Sequence, residues 1–411
     1  MECFGRTDPS TPYAMSEPFT FPAPARLIDF MRQADQPGLI NLAAGVPGLE
    51  SLPTAQLQEA FGRAVAKEGA AVFAYHHPEG DRDLRDLLAA RLTKRGAAVE
   101  GNQIVTVTGC TQGIQILLSI LVKPGDVVAC EAPAYYGLLE LLSAARVKAL
   151  PIQIRGADGI DPEETEAQLA RWKPRCLVVC SALSNPSGAT LPDASREKLV
   201  EICKRHGVRL IEDDIYGELV DGGGPRPMLA WDPEGSTVSY VSSVSKSISP
   251  GLRVGLCVPG TLHEEYAARK CQQDLHSSVV SEAALREFLA ADALDPHLEG
   301  LHKRNRRRRE LALDAIARTF PSGTEVVQPR GGYMLWTELP SKVDLGAVRD
   351  RARQEGIVFA AGSVFFASPQ EKSYLRLNCA KASEEELVRG LSVIGEILME
   401  TPAETHTAIP V

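Results

Sequence analysis

Ser242-Ser-Val-Ser-Lys-Ser-Ile-Ser-Pro-Gly-Leu-Arg-Val-Gly255 sets one lysine, Lys246, among small hydroxyl residues, with Arg253 downstream and a glycine on either side of that arginine. A lysine so placed can present an amine to an electrophile while Ser243, Ser245 and Arg253 hold an anion beside it. These are the needs of a lysine that forms a Schiff base with a phosphorylated aldehyde. Taken alone, the stretch fits a surface lysine in a Ser-rich loop equally well. The decision rests on what lies upstream.

Short apolar runs at 104–108, 127–130, 177–180 and 208–211 read as strands, and 114–122, 138–145 and 191–206 as helices, the last followed by Gly207. Strands that are apolar throughout, separated by amphipathic helices, predict an α/β domain with a mostly parallel sheet covered by helices on both faces. Beyond about residue 290, charged amphipathic helices flank short strands near 332–336 and 374–377, which predicts a smaller α+β domain. The expected division is an N-terminal arm (1–37), a large domain (38–285) and a small domain (286–411) packed with part of the arm. By composition the ends, 1–18 and 402–411, are expected to be disordered.

Bulk properties exclude several classes. With 44% hydrophobic and 24% charged residues, the composition is that of a soluble globular protein. A net charge of -9 argues against nucleic acid as partner, since a phosphate backbone wants a basic face. The basic run His302-Lys-Arg-Asn-Arg-Arg-Arg-Arg309 leads into an apolar-periodic segment, 311–320, and reads as the exposed, solvated start of a long helix. Nine irregularly spaced cysteines without a C-x-x-C pair suggest a reducing compartment and no zinc site. Cys176 and Cys180 read as buried strand residues. The first 18 residues lack the features of a secretory signal, and no apolar run is long enough to span a bilayer, so a cytoplasmic location is expected.

In open parallel sheets ligands bind beyond the carboxyl ends of the strands, so the residues ending these strands are the ones to inspect. Thr108-Gly109-Cys110-Thr111 opens a helix and turns backbone N–H groups toward an anion. Tyr135 (or Tyr136) can stack on a flat heterocycle or pack as a half-buried ring. Asn185 can donate to a phenolate oxygen, with Pro186 and Gly188 setting the turn. Glu212-Asp213-Asp214 brings three acids off an apolar strand. Asp213 facing a pyridine nitrogen would favour the protonated ring; binding Mg²⁺ is the competing use of such a cluster.

The ordered set resembles fold-type I pyridoxal-phosphate enzymes of the class I/II aminotransferase family, in its aminoadipate/kynurenine branch. It consists of Asn41-Leu-Ala-Ala-Gly-Val-Pro47, Tyr75 with Pro78-Glu79-Gly80 and Leu84-Arg85, Asn185-Pro-Ser-Gly188, Asp213-x-x-Tyr216, Ser243-x-x-Lys246 with Arg253, Pro329-x-Gly-Gly332 and Leu375-Arg-Leu377. The resemblance covers roughly residues 38–400. It implies pyridoxal 5'-phosphate as cofactor, Lys246 as its covalent anchor and proton shuttle, Asp213 on the pyridine nitrogen, and Asn185 and Tyr216 on the phenolic oxygen. Tyr135 would stack on the ring. Gly109, Cys110, Thr111, Ser243 and Arg253 would hold the phosphate. Arg376 would grip the substrate α-carboxylate with Gly45 and Asn185, and Tyr75 would reach the phosphate of the second subunit in a homodimer. The implied activity is transfer of an amino group from an α-amino acid to a 2-oxo acid. Two departures stand out: Cys110 replaces the serine common in relatives, and His76-His77 beside Tyr75 are loop histidines that could instead meet the substrate's distal group.

Other classes fit less well. Ser243-x-x-Lys246 matches the S-x-x-K of penicillin-binding hydrolases, but their S-D-N and K-T-G partners do not occur. A transcriptional regulator with an aminotransferase-like effector domain is not expected, because only 40 residues precede Asn41, too few for a DNA-binding helix-turn-helix module. Within the family, decarboxylation, elimination, oxidation and C–C bond formation remain open, since fold and cofactor cage do not fix which bond breaks.

Overall fold

Apolar runs bury both faces of a strand, and seven mostly buried strands make one sheet. The computed structural model describes Pro18, Ile28, Arg32, residues 36–368 and residues 370–403. The strands in chain order are β1 (Ile40–Asn41), β2 (Val105–Val107), β3 (Val127–Ala132), β4 (Lys148–Gln153), β5 (Cys176–Val179), β6 (Arg209–Asp213), β7 (Val238–Ser243), β8 (Gly255–Val258), β9 (Glu325–Val326), β10 (Met334–Glu338), β11 (Ile357–Val358), β12 (Ala360–Ala361) and β13 (Tyr374–Asn378). The large sheet runs β2-β8-β7-β6-β5-β3-β4. Only β8 is antiparallel to its neighbours, so the carboxyl ends of the other six strands open on one side. The small sheet, β12-β13-β10-β9, is antiparallel.

Four helices bear on the site. They are α1 (Cys110–Leu121), directly after β2; α2 (Tyr136–Ala144), after β3; α3 (His263–Asp274), after β8; and α4 (Leu294–Thr319). The expected helix over 191–206 is Asp193–His206, ended by Gly207 at φ 63°.

The apolar clusters divide the chain differently from the sequence reading. Ile40 and Leu42, assigned there to the large domain, pack with Leu335, Phe359 and Leu377 of the C-terminal part. The reason is β1, which pairs with β11 (Ile40 with Ile357). At the other boundary, α4 is shared: Leu294, Leu298 and Leu301 join the large core, and Ala312, Ala315 and Ile316 the small one. Of the ends expected to be disordered, Ala403 bridges Val343, and the rest, apart from Pro18 and Pro402, lies outside the described residues.

The basic run is a correction. The helix starts at Leu294, well before it, and Arg308 and Arg309 are buried rather than solvated. Arg308 donates to the carbonyls of Cys379, Ala380 and Ala382 and pairs with Glu50 at 2.7 Å. Arg309 donates to the Gly332 carbonyl and pairs with Asp221 at 2.5 Å. Local periodicity could not show this, because the acceptors lie on distant loops. Arg306 stays on the exposed side, 3.5 Å from Asp221. Arg309→Ala strands a buried carbonyl and an acid, and should cost about 3 kcal/mol in urea unfolding. Arg306→Ala should cost less than about 0.5 kcal/mol. Equal losses would contradict the different roles of the two arginines.

Candidate active site

The carboxyl ends of β3, β5, β6 and β7 meet the start of α1 around one cavity of about 740 Å³. Of the residues singled out in the sequence, Gly45, Gly109, Cys110, Thr111, Tyr135, Asn185, Asp213, Tyr216, Lys246 and Arg253 all line it. Ser243, Arg376 and Tyr75 do not.

Lys246 lies three residues past β7, and its Nζ donates to the Gly45 carbonyl at 2.8 Å. Burial, and next the charge of Arg376, push its pKa down to about 8. Asp213 ends β6 and accepts from the Ile215 N–H at 3.3 Å. Burial pushes its carboxyl up to about 6, against the hydrogen bond of the Cys110 thiol. The Cys110 side chain thus turns to Asp213, and what that turn offers an anion is its backbone and the Thr111 hydroxyl.

The acids on either side of Asp213 are taken up elsewhere. Glu212 pairs with Arg196 at 2.9 Å and accepts from Ser181, all of them buried. Asp214 pairs with Arg95 at 2.6 Å and accepts from Tyr240 at 2.7 Å. The three acids therefore do not form one cation site, and among the described residues no group of acids, histidines and cysteines is arranged for a metal.

The start of α1 lines the same cavity. No side chain caps α1, its first turn carries no acid, and Gly109 at its N-cap has φ 86°. A Cβ on Gly109 would come 2.7 Å from Arg253 Nη2. Arg253 donates to the Thr108 carbonyl at 2.7 Å and to Ser245 Oγ at 3.3 Å. Ser245 lines the cavity, whereas the Ser243 hydroxyl donates to the Val254 carbonyl at 2.8 Å behind it. An acid without an ion-pair partner of its own, an amine, a tyrosine ring and an uncapped helix start around one space fit a phosphorylated pyridine aldehyde.

Arg376 is fully buried behind the wall made by Gly45 and Asn185. Its Nη1 donates to Asn185 Oδ1 at 3.1 Å and its Nη2 to the Ala43 carbonyl; Nε finds no partner among the described residues. Phe365 lies under the guanidinium at 4.9 Å, and Tyr136 hydrogen-bonds it from the cavity side. Tyr75 is 84% exposed, its ring 5.5 Å from that of His276. His76 and His77 are exposed and pack edge to face on each other, away from the cavity wall.

Sequence reasoning missed two contributors, Asn378 and Glu131, and gave a third, Tyr136, only as an alternative to Tyr135. Asn378 donates to the carbonyls of Ala44 and Val46 and so fixes the loop bearing Gly45. Glu131, pushed up to about 8 by burial, accepts from Cys180 N and Ser184 Oγ in the cavity wall. Tyr136 is the one of the two tyrosines that hydrogen-bonds Arg376. The signals were position alone: Asn378 directly follows the Leu375-Arg-Leu377 motif, and Glu131 lies near the end of a strand.

The family model "Aminotransferase class I and II" matches residues 37–394. An uncharacterized HTH-type transcriptional regulator of Escherichia coli, YjiR, is 31% identical over 372 residues, 90% of this chain and 79% of that one. Kynurenine aminotransferase from Pyrococcus horikoshii superposes with a TM-score of 0.85 at 25% identity, covering 91% of this chain and 94% of that one. LysN, the α-aminoadipate aminotransferase of Thermus thermophilus, was solved with N-(5'-phosphopyridoxyl)-L-leucine. It gives 0.82 at 28% identity, covering 90% and 94%.

Because the amine must be neutral to attack an aldehyde, its reaction should rise with pH through about 8. An ordinary lysine would need about two units more. Arg376→Leu removes a positive neighbour and should move that midpoint upward. The rate of pyridoxal phosphate attachment against pH checks both; a midpoint near 10 in the unaltered protein would contradict the electrostatics.

Proposed function

The chain belongs to the aminotransferase class I and II family, and from that premise we propose how it moves an amino group from an α-amino acid to a 2-oxo acid with pyridoxal 5'-phosphate. The observation that carries the reading is the approach of a buried Lys246 amine to Gly45, with Asp213 and the α1 start on the same cavity. When bound, pyridoxal phosphate supplies an aldehyde for that amine and a ring that takes up electrons from a bond at the substrate α-carbon.

The protein's own residues do the rest. The α1 backbone, Thr111, Ser245 and Arg253 hold the phosphate. Asp213 keeps a proton on the ring nitrogen, since a buried acid near a cationic N–H loses less by staying charged. Tyr135 stacks on the ring, and Asn185 and Tyr216 donate to its phenolic oxygen. Lys246 Nζ carries a proton to and from the α-carbon, for which a pKa of about 8 is well matched. Arg376, whose guanidinium lies directly behind Gly45 and Asn185, supplies the positive charge and planar donors for the α-carboxylate, a role lysine fills poorly.

The relatives named for kynurenine and α-aminoadipate support a donor with a long or aromatic side chain, and pyruvate or 2-oxoglutarate as acceptor. Eight of the nine cysteines are described and all are free, which supports a reducing, cytoplasmic setting. A large domain and a small one, the small one including the β1 segment and the two sharing α4, belong to the same proposal. One observation favours a second reading, a cofactor-dependent regulator: the similarity to YjiR.

Turnover separates the two readings. An aminotransferase should show ping-pong kinetics with parallel double-reciprocal lines, and Lys246→Ala should abolish turnover. Borohydride should fix the cofactor to the peptide containing Lys246. A single amino-group exchange without multiple turnovers, over a screen of amino acids, would favour the regulator.

Tyr75, exposed and off its own cavity wall, supports a homodimer in which it reaches the second subunit's phosphate. If so, mixing inactive Lys246→Ala and Tyr75→Ala subunits should restore activity at one site in each mixed dimer. No recovery after verified subunit exchange would place Tyr75 in its own subunit's site.

A further inference from the structure

The turn before α1 is held from behind by a chain of hydrogen bonds that the family reading leaves without a role. Gln112, in the first turn of α1, accepts the Thr108 N–H on Oε1 at 2.7 Å. Its Nε2 donates to Asp274 Oδ2, also at 2.7 Å. Lys270, fully buried, donates to the other oxygen of Asp274 at 3.0 Å. Thr108 is therefore gripped at both ends of its backbone, N–H by Gln112 and C=O by Arg253.

The placement of Asp274 needs a reason. It is the last residue of α3, where the helix dipole disfavours an acid. A carboxylate near an anion site would also repel a phosphate. Lys270 neutralises it at the cost of burying an ammonium group. What this arrangement secures is one fixed acceptor for Gln112. The two helices are locked around that contact: Tyr266 of α3 donates to the Gly113 carbonyl at 3.3 Å, and a Cβ on Gly113 would meet Val241 at 2.7 Å. With α1 unable to shift, the orientation of the Thr108–Gly109 turn depends on its hydrogen bonds.

We propose that Gln112 and Asp274 are positioning residues for the cofactor phosphate: they aim the N–H groups of the Gly109–Thr111 turn without touching the phosphate. This rests on the reading of the cavity as a pyridoxal phosphate site. The observation separating it from simple support of the fold is that the chain ends on the backbone of the anion turn and nowhere else in the cavity.

The test compares pyridoxal 5'-phosphate with pyridoxal, which lacks the phosphate, binding to the full chain stripped of cofactor. Gln112→Met keeps the volume of a half-buried side chain and removes both hydrogen bonds. It should raise the Kd for pyridoxal phosphate about tenfold, the loss expected of a misaimed charge-assisted hydrogen bond, and change that for pyridoxal less than twofold. Asp274→Asn, which keeps an acceptor for Gln112, should lose less than Gln112→Met, and the double variant should be no worse than Gln112→Met alone. Equal losses for both aldehydes, or none for either, would overturn the proposal. If Asp274→Asn fails to fold because Lys270 is left unpaired, Gln112→Met alone decides. Failure of the unaltered chain to bind either aldehyde would instead sink the function reading on which the proposal stands.

Discussion

A guanidinium with no solvent contact must have its charge and donors met by the protein, and Arg376 imposes that demand on four separate parts of the chain. Ala43 supplies a carbonyl from the segment after β1, Asn185 an amide oxygen from the loop after β5, Phe365 a ring face, and Tyr136 a hydroxyl from the start of α2. The arginine itself is on β13, paired with Trp336 of β10. The small sheet is thereby set against the large one at the cavity's edge. Burying a cation costs several kcal/mol before its partners are counted, so a core built for stability alone would hold an apolar residue here. The local rule of an apolar interior is broken at the point where a carboxylate would be recognised.

The end of β6 solves a related problem. Successive strand residues point to opposite faces, so Glu212 and Asp214 share one side and Asp213 takes the other. On the first side two arginines, Arg196 and Arg95, wait for the acids. On the second side no arginine among the described residues pairs with Asp213; the Cys110 thiol and the Ile215 N–H donate to it beside the cavity. A run of three acids that would repel one another in a loop becomes two satisfied ion pairs and one carboxylate, raised by burial and available to a cationic ligand.

This division also explains what could be read from the sequence. Strands, helices and the polar residues that end the strands follow from local periodicity, so Asp213, Asn185, Tyr135 and Lys246 were legible, and so was the cavity they line. Contacts across the chain were not. Asn378 holds Ala44 across 334 positions, and nothing near either residue signals the other. Ser243 and Ser245 differ in role only because the turn into Lys246 points one hydroxyl at Val254 and the other at the cavity. The arginines on α4 looked like a solvated face because their acceptors, Gly332, Asp221 and the carbonyls after β13, come from loops elsewhere. Composition distinguishes a charged helix face from a set of staples only when the partners are known.

The electrostatics of the cavity follow from the same assembly. Lys246 is flanked by the charges of Arg376 and Arg253, both of which lower its proton affinity, while Asp213 opposes them. A phosphate at the α1 start and a carboxylate at Arg376 would screen those two guanidinium charges from the amine. Proton affinity at Nζ must then rise as the anions bind and fall as they leave. An empty site thus releases the Lys246 proton at lower pH than a filled one would. A lysine that acts first as anchor and then as proton carrier would have its proton affinity adjusted between the two tasks by the anions that arrive.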